Sequence, residues 1–200
     1  VRDLGGRVLL LGNNFDAAKA EAQRIAQAEG RTFIAPFDDP RVIAGQGTIG
    51  LEILEQLPDV EQIVVPIGGG GLIGGIAFAV KQLKPDCRIV GVQAAGAASM
   101  YLSRHAGGPT ELRSVSTIAD GIAVKKPGDL TFALCQQYVD EVVTVSEDEI
   151  ASAILALMEG QKTVAEGAGA VPVAAVMFGK VDTSEKKTVC VVSGGNVDVT

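Results

Sequence analysis

Residues 66–75 read Pro-Ile-Gly-Gly-Gly-Gly-Leu-Ile-Gly-Gly, and this glycine-rich stretch decides the predicted fold. Its glycines 68–71 lie between the β-branched run 63–67 and the helical run 72–83, so the stretch joins a predicted strand to a predicted helix. Backbone N–H groups in such a loop can converge on an anion at the helix N-terminus. Tight packing of helix on strand would explain one or two of these glycines, but hardly four in a row. Residues 68–71, termed the glycine loop, therefore predict a phosphate site.

A dinucleotide is the first phosphate ligand to consider, because Gly69, Gly71 and Gly74 form a GxGxxG pattern. A nicotinamide site also needs an acidic residue at the end of the next strand, to hold a ribose hydroxyl. That strand ends at Gln93, which argues against NAD, although an amide can still bond a hydroxyl. A P-loop kinase is less favoured still, because no Lys-Ser/Thr pair follows the glycines. A ligand with a single phosphate remains.

The rest of the chain alternates short β-branched runs with longer helical runs, which predicts an α/β fold with a mostly parallel sheet covered by helices on both faces. The predicted strands are 8–11, 32–34, 63–67, 89–93, 141–145 and 188–192. The predicted helices are 17–28 (with capping residues in the run Asn13-Asn14-Phe15-Asp16 and a stop at Gly30), 42–57, 72–83, 128–138 and 146–159, the last with a capping box at Ser146. Segment 94–128 is predicted to be irregular and, for a loop of that length, functional.

Composition excludes several classes of function. The 200 residues carry a formal net charge of −7, so there is no basic face for nucleic acid or for an anionic membrane surface. The longest apolar stretch, 72–80, is far shorter than the roughly 20 residues of a membrane-spanning helix.

Cysteine and histidine usage offers little chemistry. Cys87, Cys135 and Cys190 form no CxxC pair and are interpreted as small buried hydrophobic residues in a reducing compartment. The single histidine, His105, lies in a turn-like run and is interpreted as an exposed loop residue rather than part of a Ser-His-Asp relay.

A second candidate site follows the last predicted strand, where Ser193-Gly194-Gly195-Asn196 occurs. Ligands of open α/β sheets bind outside the carboxyl ends of the strands, so Ser193 and the glycine loop are expected along the same rim. A hydroxyl can bond a ring nitrogen without carrying charge, as a pyridine cofactor with a neutral nitrogen requires.

Several motifs in order along the chain resemble those of the threonine dehydratases (threonine ammonia-lyases), fold-type II pyridoxal-phosphate enzymes of the tryptophan synthase β-like fold. They are PFDDPRVIAGQGTIGLEILEQL (36–57), PIGGGGLIGG (66–75), TIADGIAV (117–124), VSEDEI (145–150), EGAGA (166–170) and SGGNVD (193–198). The resemblance implies deamination of L-threonine to 2-oxobutanoate and ammonia, with L-serine giving pyruvate as a side activity. It also implies a cytoplasmic protein that forms homo-oligomers when complete, acting on small amino acids.

Site residues follow from the same resemblance. The cofactor phosphate is assigned to Gly68, Gly69, Gly70, Gly71 and Leu72, and the pyridine nitrogen to Ser193. Gly121 and Glu166 match positions near the cofactor. Residues 1–37 are expected to be the C-terminal part of a small domain and 38–200 most of a large cofactor-binding domain, so that the fold is incomplete.

Two features of the family's pattern are missing. Its Schiff-base lysine lies in a Ser-x-Lys-x-Arg type motif upstream of the segment that this chain matches, so the chain is expected to be a C-terminal part of a catalytic region, inactive alone. Only Lys125 and Lys126 come into question as substitutes, and a solvated pair is the preferred interpretation. Relatives with a divalent-cation site use carboxylates where this chain has Gln93 and Ser99, so no metal site is predicted.

Two alternative functions stay open. One is a serine dehydratase or racemase of the same fold, although the missing metal carboxylates weigh mildly against a metal-dependent racemase. The other is a non-catalytic module that binds a phosphate-bearing ligand at the glycine loop. The second alternative would account for the missing lysine.

Overall fold

The computed structural model describes residues 1–11 and 15–197, which divide into two compact units, 1–35 and 36–200. The first unit contains helix α1 (Phe15–Ala28), and Gly30 follows it with a left-handed φ of 64°. The end of this helix is therefore as predicted, whereas the capping residues expected at Asn13 and Asn14 lie outside the described residues. The assignment of residues 1–37 and 38–200 to a small and a large domain stays a prediction.

The prediction of two strands in the first unit, at residues 8–11 and 32–34, is wrong. Residues 8–11 and 32–34 have no regular secondary structure, and residues 8–11 lie largely at the surface. A strand is stable only when a neighbour receives its backbone hydrogen bonds. No described residue of this unit pairs with either run, so residue composition alone does not make them strands.

The second unit is built on a parallel four-stranded sheet with the order β3-β2-β1-β4 among the described residues. Its strands are β1 (Gln62–Pro66), β2 (Arg88–Ala94), β3 (Glu141–Val145) and β4 (Thr188–Cys190). Its helices are α2 (Pro40–Gln56), α3 (Gly71–Leu83), α4 (Ser99–Ala106), α5 (Asp129–Tyr138), α6 (Glu147–Ala156) and α7 (Gly167–Met177). All four strands were predicted, β3 with the same bounds, and the fold class is confirmed.

Helices cover both faces of this sheet, as the continuous apolar strands predict. Alternate residues of β1 enter two separate cores. Val64 packs in one core with residues of α6 and α7, while Ile63 and Val65 pack in the other with residues of α3. The carboxyl ends of the strands are thereby left as a rim at which connecting loops gather.

Two further differences concern the helices. Residues 99–106 of the segment predicted to be irregular form α4, so His105 lies in the last turn of a helix rather than in a loop. Its side chain is nevertheless at the surface, with Nδ1 2.8 Å from the Tyr101 carbonyl oxygen. Helix α7 was not predicted, because its glycines and Pro172 are typical of loops in the absence of the apolar burial that this helix has.

The capping box predicted at the start of α6 is present. The N–H of Glu149 donates to Ser146 Oγ at 3.3 Å, and the N–H of Ser146 donates to Glu149 Oε2 at 2.8 Å. Helix α6 continues into a π-helical turn, Leu157–Gln161, that ends with Lys162 at a φ of 56°. The predicted helix 146–159 is thus divided between two helical forms.

The cysteines are free thiols. Cys87 and Cys135 are buried, as predicted, and Cys190 is half-buried. No helix in residues 1–11 and 15–197 combines the length and apolar character needed to span a membrane.

Candidate functional site

The glycine loop lies between the carboxyl end of β1 and the first turn of α3. Gly69, Gly70 and Gly71 are buried, and Gly70 is the N-cap of α3 with a φ of 98°. A left-handed φ of this size is readily adopted only by glycine. The backbone therefore turns sharply from strand into helix at the centre of the sheet, where parallel sheets of this type bind ligands.

Close packing leaves no room for a Cβ atom at Gly69, Gly70 and Gly71, and little room for one at Gly68. A Cβ atom on Gly69 would overlap the Phe37 ring, and one on Gly71 would lie 2.9 Å from the Phe37 Cβ. A Cβ on Gly70 would lie 2.8 Å from the nearest side-chain atom, and one on Gly68 would lie 3.2 Å from the nearest backbone atom. Packing thus accounts for more of these glycines than the one or two expected from the sequence.

The backbone N–H groups of the loop carry the stronger functional signal. Within the described part of the chain we find no hydrogen-bond acceptor for the N–H groups of residues 68–72. Gly69, Gly70 and Gly71 are buried, and the first N–H groups of a helix have no acceptor within it, so these groups need a partner from outside at the positive end of the helix dipole. The loop therefore has the donors and the electrostatics to bind a phosphate.

The other predicted site residues gather beside the loop. A Cβ on Gly68 would lie 3.4 Å from the Gly121 carbonyl oxygen, and one on Gly121 would lie 3.4 Å from Glu166 Oε1. Glu166 is the N-cap of α7, and a Cβ on Gly194 would lie 2.8 Å from its Cδ. Gly68, Gly121, Glu166 and Gly194, which are far apart in sequence, are therefore neighbours in one cluster.

Ser193 and Leu72 enter this cluster in different ways. Ser193 follows β4, the neighbour of β1, and its exposed hydroxyl makes no hydrogen bond to any described residue. Leu72 lies in the first turn of α3, and its side chain packs against the core on that face of the sheet. The backbone N–H of Leu72 is thus its available group, whereas Ser193 offers its side chain.

Two polar residues that support the loop were not predicted. Thr131 Oγ1 donates to the Gly69 carbonyl oxygen at 2.6 Å. The carboxylate of Asp38 accepts hydrogen bonds from the N–H of Thr131 at 3.1 Å and from the N–H of Asp129 at 3.2 Å, so it caps α5. No local sequence signal reveals these contacts, because they join residues 62 to 93 positions apart.

The position predicted to lack a metal carboxylate is occupied by a hydrogen-bonded amide. Gln93 Nε2 donates to the carbonyl oxygens of Ile67 at 3.3 Å and Ala97 at 3.2 Å. Ser99 is also buried, and its hydroxyl has no hydrogen-bond partner among the residues that the structure describes. Among residues 1–11 and 15–197, no three His, Cys, Asp or Glu side chains are grouped to hold a metal ion. The absence of a metal site stays a prediction.

Lys125 and Lys126 follow the short helical turn Asp120–Ile122, and both are exposed. Neither side chain forms an ion pair with a described residue. This environment agrees with a solvated pair. That the chain lacks the Schiff-base lysine stays a prediction.

Comparison with known proteins decides the family. Residues 1–195 match the family described as pyridoxal-phosphate dependent enzymes. The chain belongs to this family. The cofactor prediction, pyridoxal 5′-phosphate, and the fold-type II architecture are thereby confirmed, and the buried donors of the glycine loop fit the phosphate of that cofactor.

Two curated relatives within the family are named for the same reaction. The chain is 57% identical to an L-threonine ammonia-lyase of Thermotoga maritima over 99% of this chain and 49% of the relative. It is 49% identical to a catabolic L-threonine dehydratase of Escherichia coli over 98% of this chain and 60% of the relative. The chain thus spans about half the length of the curated relatives it matches.

Solved structures agree with this placement. The processed form of threonine deaminase isoform 2 from Solanum lycopersicum superposes with a TM-score of 0.92 at 44% identity, over 99% of this chain and 55% of that chain. Maize serine racemase superposes with a TM-score of 0.92 at 35% identity, over 99% of this chain and 61% of that chain. Both threonine deaminases and serine racemases are therefore structural neighbours of this chain.

Proposed function

We propose that the full-length protein is a pyridoxal-phosphate-dependent lyase that converts L-threonine to 2-oxobutanoate and ammonia, and L-serine to pyruvate more slowly. The observation that carries this proposal is the row of N–H groups at residues 68–72, which have no acceptor in the described part of a chain 57% identical to an L-threonine ammonia-lyase. The donors support the assignment of a phosphate site to this loop, and the relatives support the reaction.

The cofactor phosphate would be held by backbone N–H groups of Gly68, Gly69, Gly70, Gly71 and Leu72. These donors are fixed by the start of α3, so they need no reorganisation when the phosphate binds. When bound, pyridoxal phosphate supplies a ring that withdraws electrons from the substrate Cα. The contribution of the chain is to place that ring against the rim of the sheet and to set the charge around it.

Ser193 would hold the ring nitrogen through its hydroxyl, which can donate to a neutral nitrogen. An uncharged partner leaves the ring a weaker electron acceptor than a carboxylate partner would. β-Elimination tolerates this, because the departing hydroxyl group takes the electron pair with it. Gly121 and Glu166 would line the remaining side of the cofactor, since both lie in the cluster beside Gly68.

The proton transfers at Cα would be performed by a lysine of the full-length protein outside residues 1–200, and the chain alone is expected to be inactive. No step is assigned to a metal ion, because Gln93 places an amide and Ser99 a hydroxyl where relatives with a cation site have carboxylates. We further propose a cytoplasmic homo-oligomer, by analogy with the family.

The test is to supply the full-length protein with pyridoxal phosphate and measure 2-oxobutanoate released from L-threonine. L-Serine is assayed in parallel for pyruvate and for D-serine. We expect 2-oxobutanoate as the main product. Predominant D-serine would favour the racemase suggested by the similarity to maize serine racemase. Binding of pyridoxal phosphate without any product would contradict the lyase and favour a ligand-binding module.

A further inference from the structure

Side chains from other elements donate hydrogen bonds to two carbonyl groups, that of Gly69 in the glycine loop and that of Ile67 directly before it. Thr131 Oγ1, at the start of α5, donates to the Gly69 carbonyl at 2.6 Å. Gln93 Nε2, at the end of β2, donates to the Ile67 carbonyl at 3.3 Å. Both side chains belong to residues with no solvent exposure, so these hydrogen bonds are shielded from bulk water.

Holding a carbonyl also sets the direction of the next N–H group. In a planar trans peptide the C=O of one residue and the N–H of the next point in opposite directions. The described residues contain no cis peptide bond. Thr131 therefore directs the N–H of Gly70 away from α5, and Gln93 directs the N–H of Gly68 away from itself. These are two of the donors that have no partner among the described residues.

Thr131 is itself held firmly. Its N–H donates to Asp38 at 3.1 Å, and its hydroxyl also lies 3.2 Å from the Gly128 carbonyl oxygen. The N–H of Gly128 makes a longer contact, 3.4 Å, with the carbonyl of Gly69. The Gly69 carbonyl thus accepts hydrogen bonds from the start of α5, and Asp38 in turn accepts hydrogen bonds from the first turn of that helix.

Gln93 is equally constrained. Its second Nε2 hydrogen bond goes to the Ala97 carbonyl at 3.2 Å, and its Oε1 accepts from the N–H of Tyr101 at 2.9 Å. The side chain therefore ties the entry of the glycine loop to the start of α4. An amide is suited to this place because it donates twice and accepts at the same time.

We propose that Thr131 and Gln93 are positioning residues for the phosphate site. They orient the backbone N–H groups of Gly70 and Gly68 toward the phosphate without touching it. This inference rests on the proposed role of the glycine loop in holding the cofactor phosphate. It assigns part of the affinity for the phosphate to two side chains outside the loop, and it predicts that removing either hydrogen bond weakens binding of the phosphate in particular.

The decisive comparison is T131V against T131S in the full-length apoenzyme. Valine keeps the shape of threonine and removes the hydroxyl, whereas serine keeps the hydroxyl and removes a methyl group. Affinities are measured by titration with pyridoxal 5′-phosphate and with pyridoxal, which lacks the phosphate. We expect T131V to weaken binding of pyridoxal 5′-phosphate about tenfold and binding of pyridoxal less than about twofold. T131S should resemble the wild type with both ligands.

A second readout reports on the phosphate directly. The ³¹P resonance of bound pyridoxal 5′-phosphate should shift in T131V and stay in place in T131S. If Thr131 has a purely structural role, T131V should weaken binding of both ligands equally. That result would overturn the inference, and so would a T131V protein with wild-type affinities for both ligands. A wild-type protein that binds pyridoxal 5′-phosphate no better than pyridoxal would overturn the phosphate site itself, and with it the proposed function.

Gln93 provides an independent variant should T131V fold poorly. Q93M has a similar length and cannot donate to Ile67, so it should show the same selective loss for pyridoxal 5′-phosphate. Circular dichroism of each apoenzyme establishes that the fold is retained before the titrations. If Q93M folds and keeps the wild-type preference for the phosphorylated ligand, the role assigned to Gln93 is wrong.

Discussion

The backbone N–H of Glu166 donates to the carbonyl oxygen of Gly194 at 3.1 Å, and this bond joins the N-terminus of α7 to the segment that follows β4. The Glu166 carboxylate also lies directly against the Cα of Gly194, where a Cβ atom would overlap it. The two residues therefore fix each other, and with them the position of Ser193.

Replacing Gly194 with alanine should displace the Glu166 carboxylate. We expect turnover of L-threonine by the full-length protein to fall by up to about 100-fold, because small displacements near a reacting group have effects of this size. Steady-state kinetics with pyridoxal phosphate in excess measure the change. The matched control is G160A, whose Cβ would meet nothing within 4 Å. Equal activity of the two variants would contradict the placement of Glu166 beside the cofactor.

The left-handed conformation of Gly70 predicts that a side chain at this position destabilises the fold. G70A should lower the free energy of unfolding by about 1–2 kcal/mol for the backbone alone, with more from contact with Met100. G45A, in the exposed interior of α2, should raise it by about 0.5–1 kcal/mol, because Gly45 has no neighbour within 4 Å of a Cβ. Urea unfolding of both full-length variants measures the difference, and a stabilising G70A would contradict the backbone geometry.

Thiol reactivity should be low in the folded protein. Burial raises the pKa of the Cys135 thiol to about 12 and that of Cys190 to about 11. At pH 8 only about one Cys135 thiol in ten thousand is then ionised, and the thiolate is the reactive form. Labelling with a maleimide should therefore be slow in buffer and rapid in urea. Rapid labelling of Cys135 in buffer, located by peptide mapping, would show that it is not buried.

The capping box of α6 predicts a pH dependence. Burial acts to raise the pKa of Glu149, but hydrogen bonds from Ser146 and the Lys180 ammonium group outweigh it and hold the pKa below its ordinary 4.5. A lowered carboxyl pKa stabilises the fold above the ordinary value and loses this contribution as pH falls through the folded-state pKa. E149Q should therefore be less stable than the wild type near pH 7, by about 0.5 kcal/mol.

The same variant should match the wild type once Glu149 is protonated. Thermal unfolding of both full-length proteins between about pH 7 and pH 3 follows the difference. S152A, which removes a hydroxyl on the exposed surface of the same helix, is the control and should show no such trend. A stability difference that grows toward acid pH would contradict the assigned sign.

Local patterns predicted the second unit well and the first unit poorly. Strand β3 and the capping box of α6 depend on neighbours within a few residues, and both have the bounds expected from the sequence. Residues 8–11 (Val-Leu-Leu-Leu) and 32–34 (Thr-Phe-Ile) are apolar or partly β-branched, yet strand formation requires a partner that the pattern of a single segment does not reveal. Helix α7 shows the converse, because burial overrides its glycines and Pro172.

The sequence by itself determined the glycine loop, the strand and the helix that flank it, and the family motifs that contain Ser193, Gly121 and Glu166. These follow from residue type and spacing along the chain. Only the tertiary structure decided that Thr131 and Gln93 hold the carbonyls of the loop and its approach, because such hydrogen bonds join residues 62 and 26 positions apart. The directions of the carbonyl and N–H groups depend on how the helices pack against the sheet, so the pattern of one segment cannot predict them.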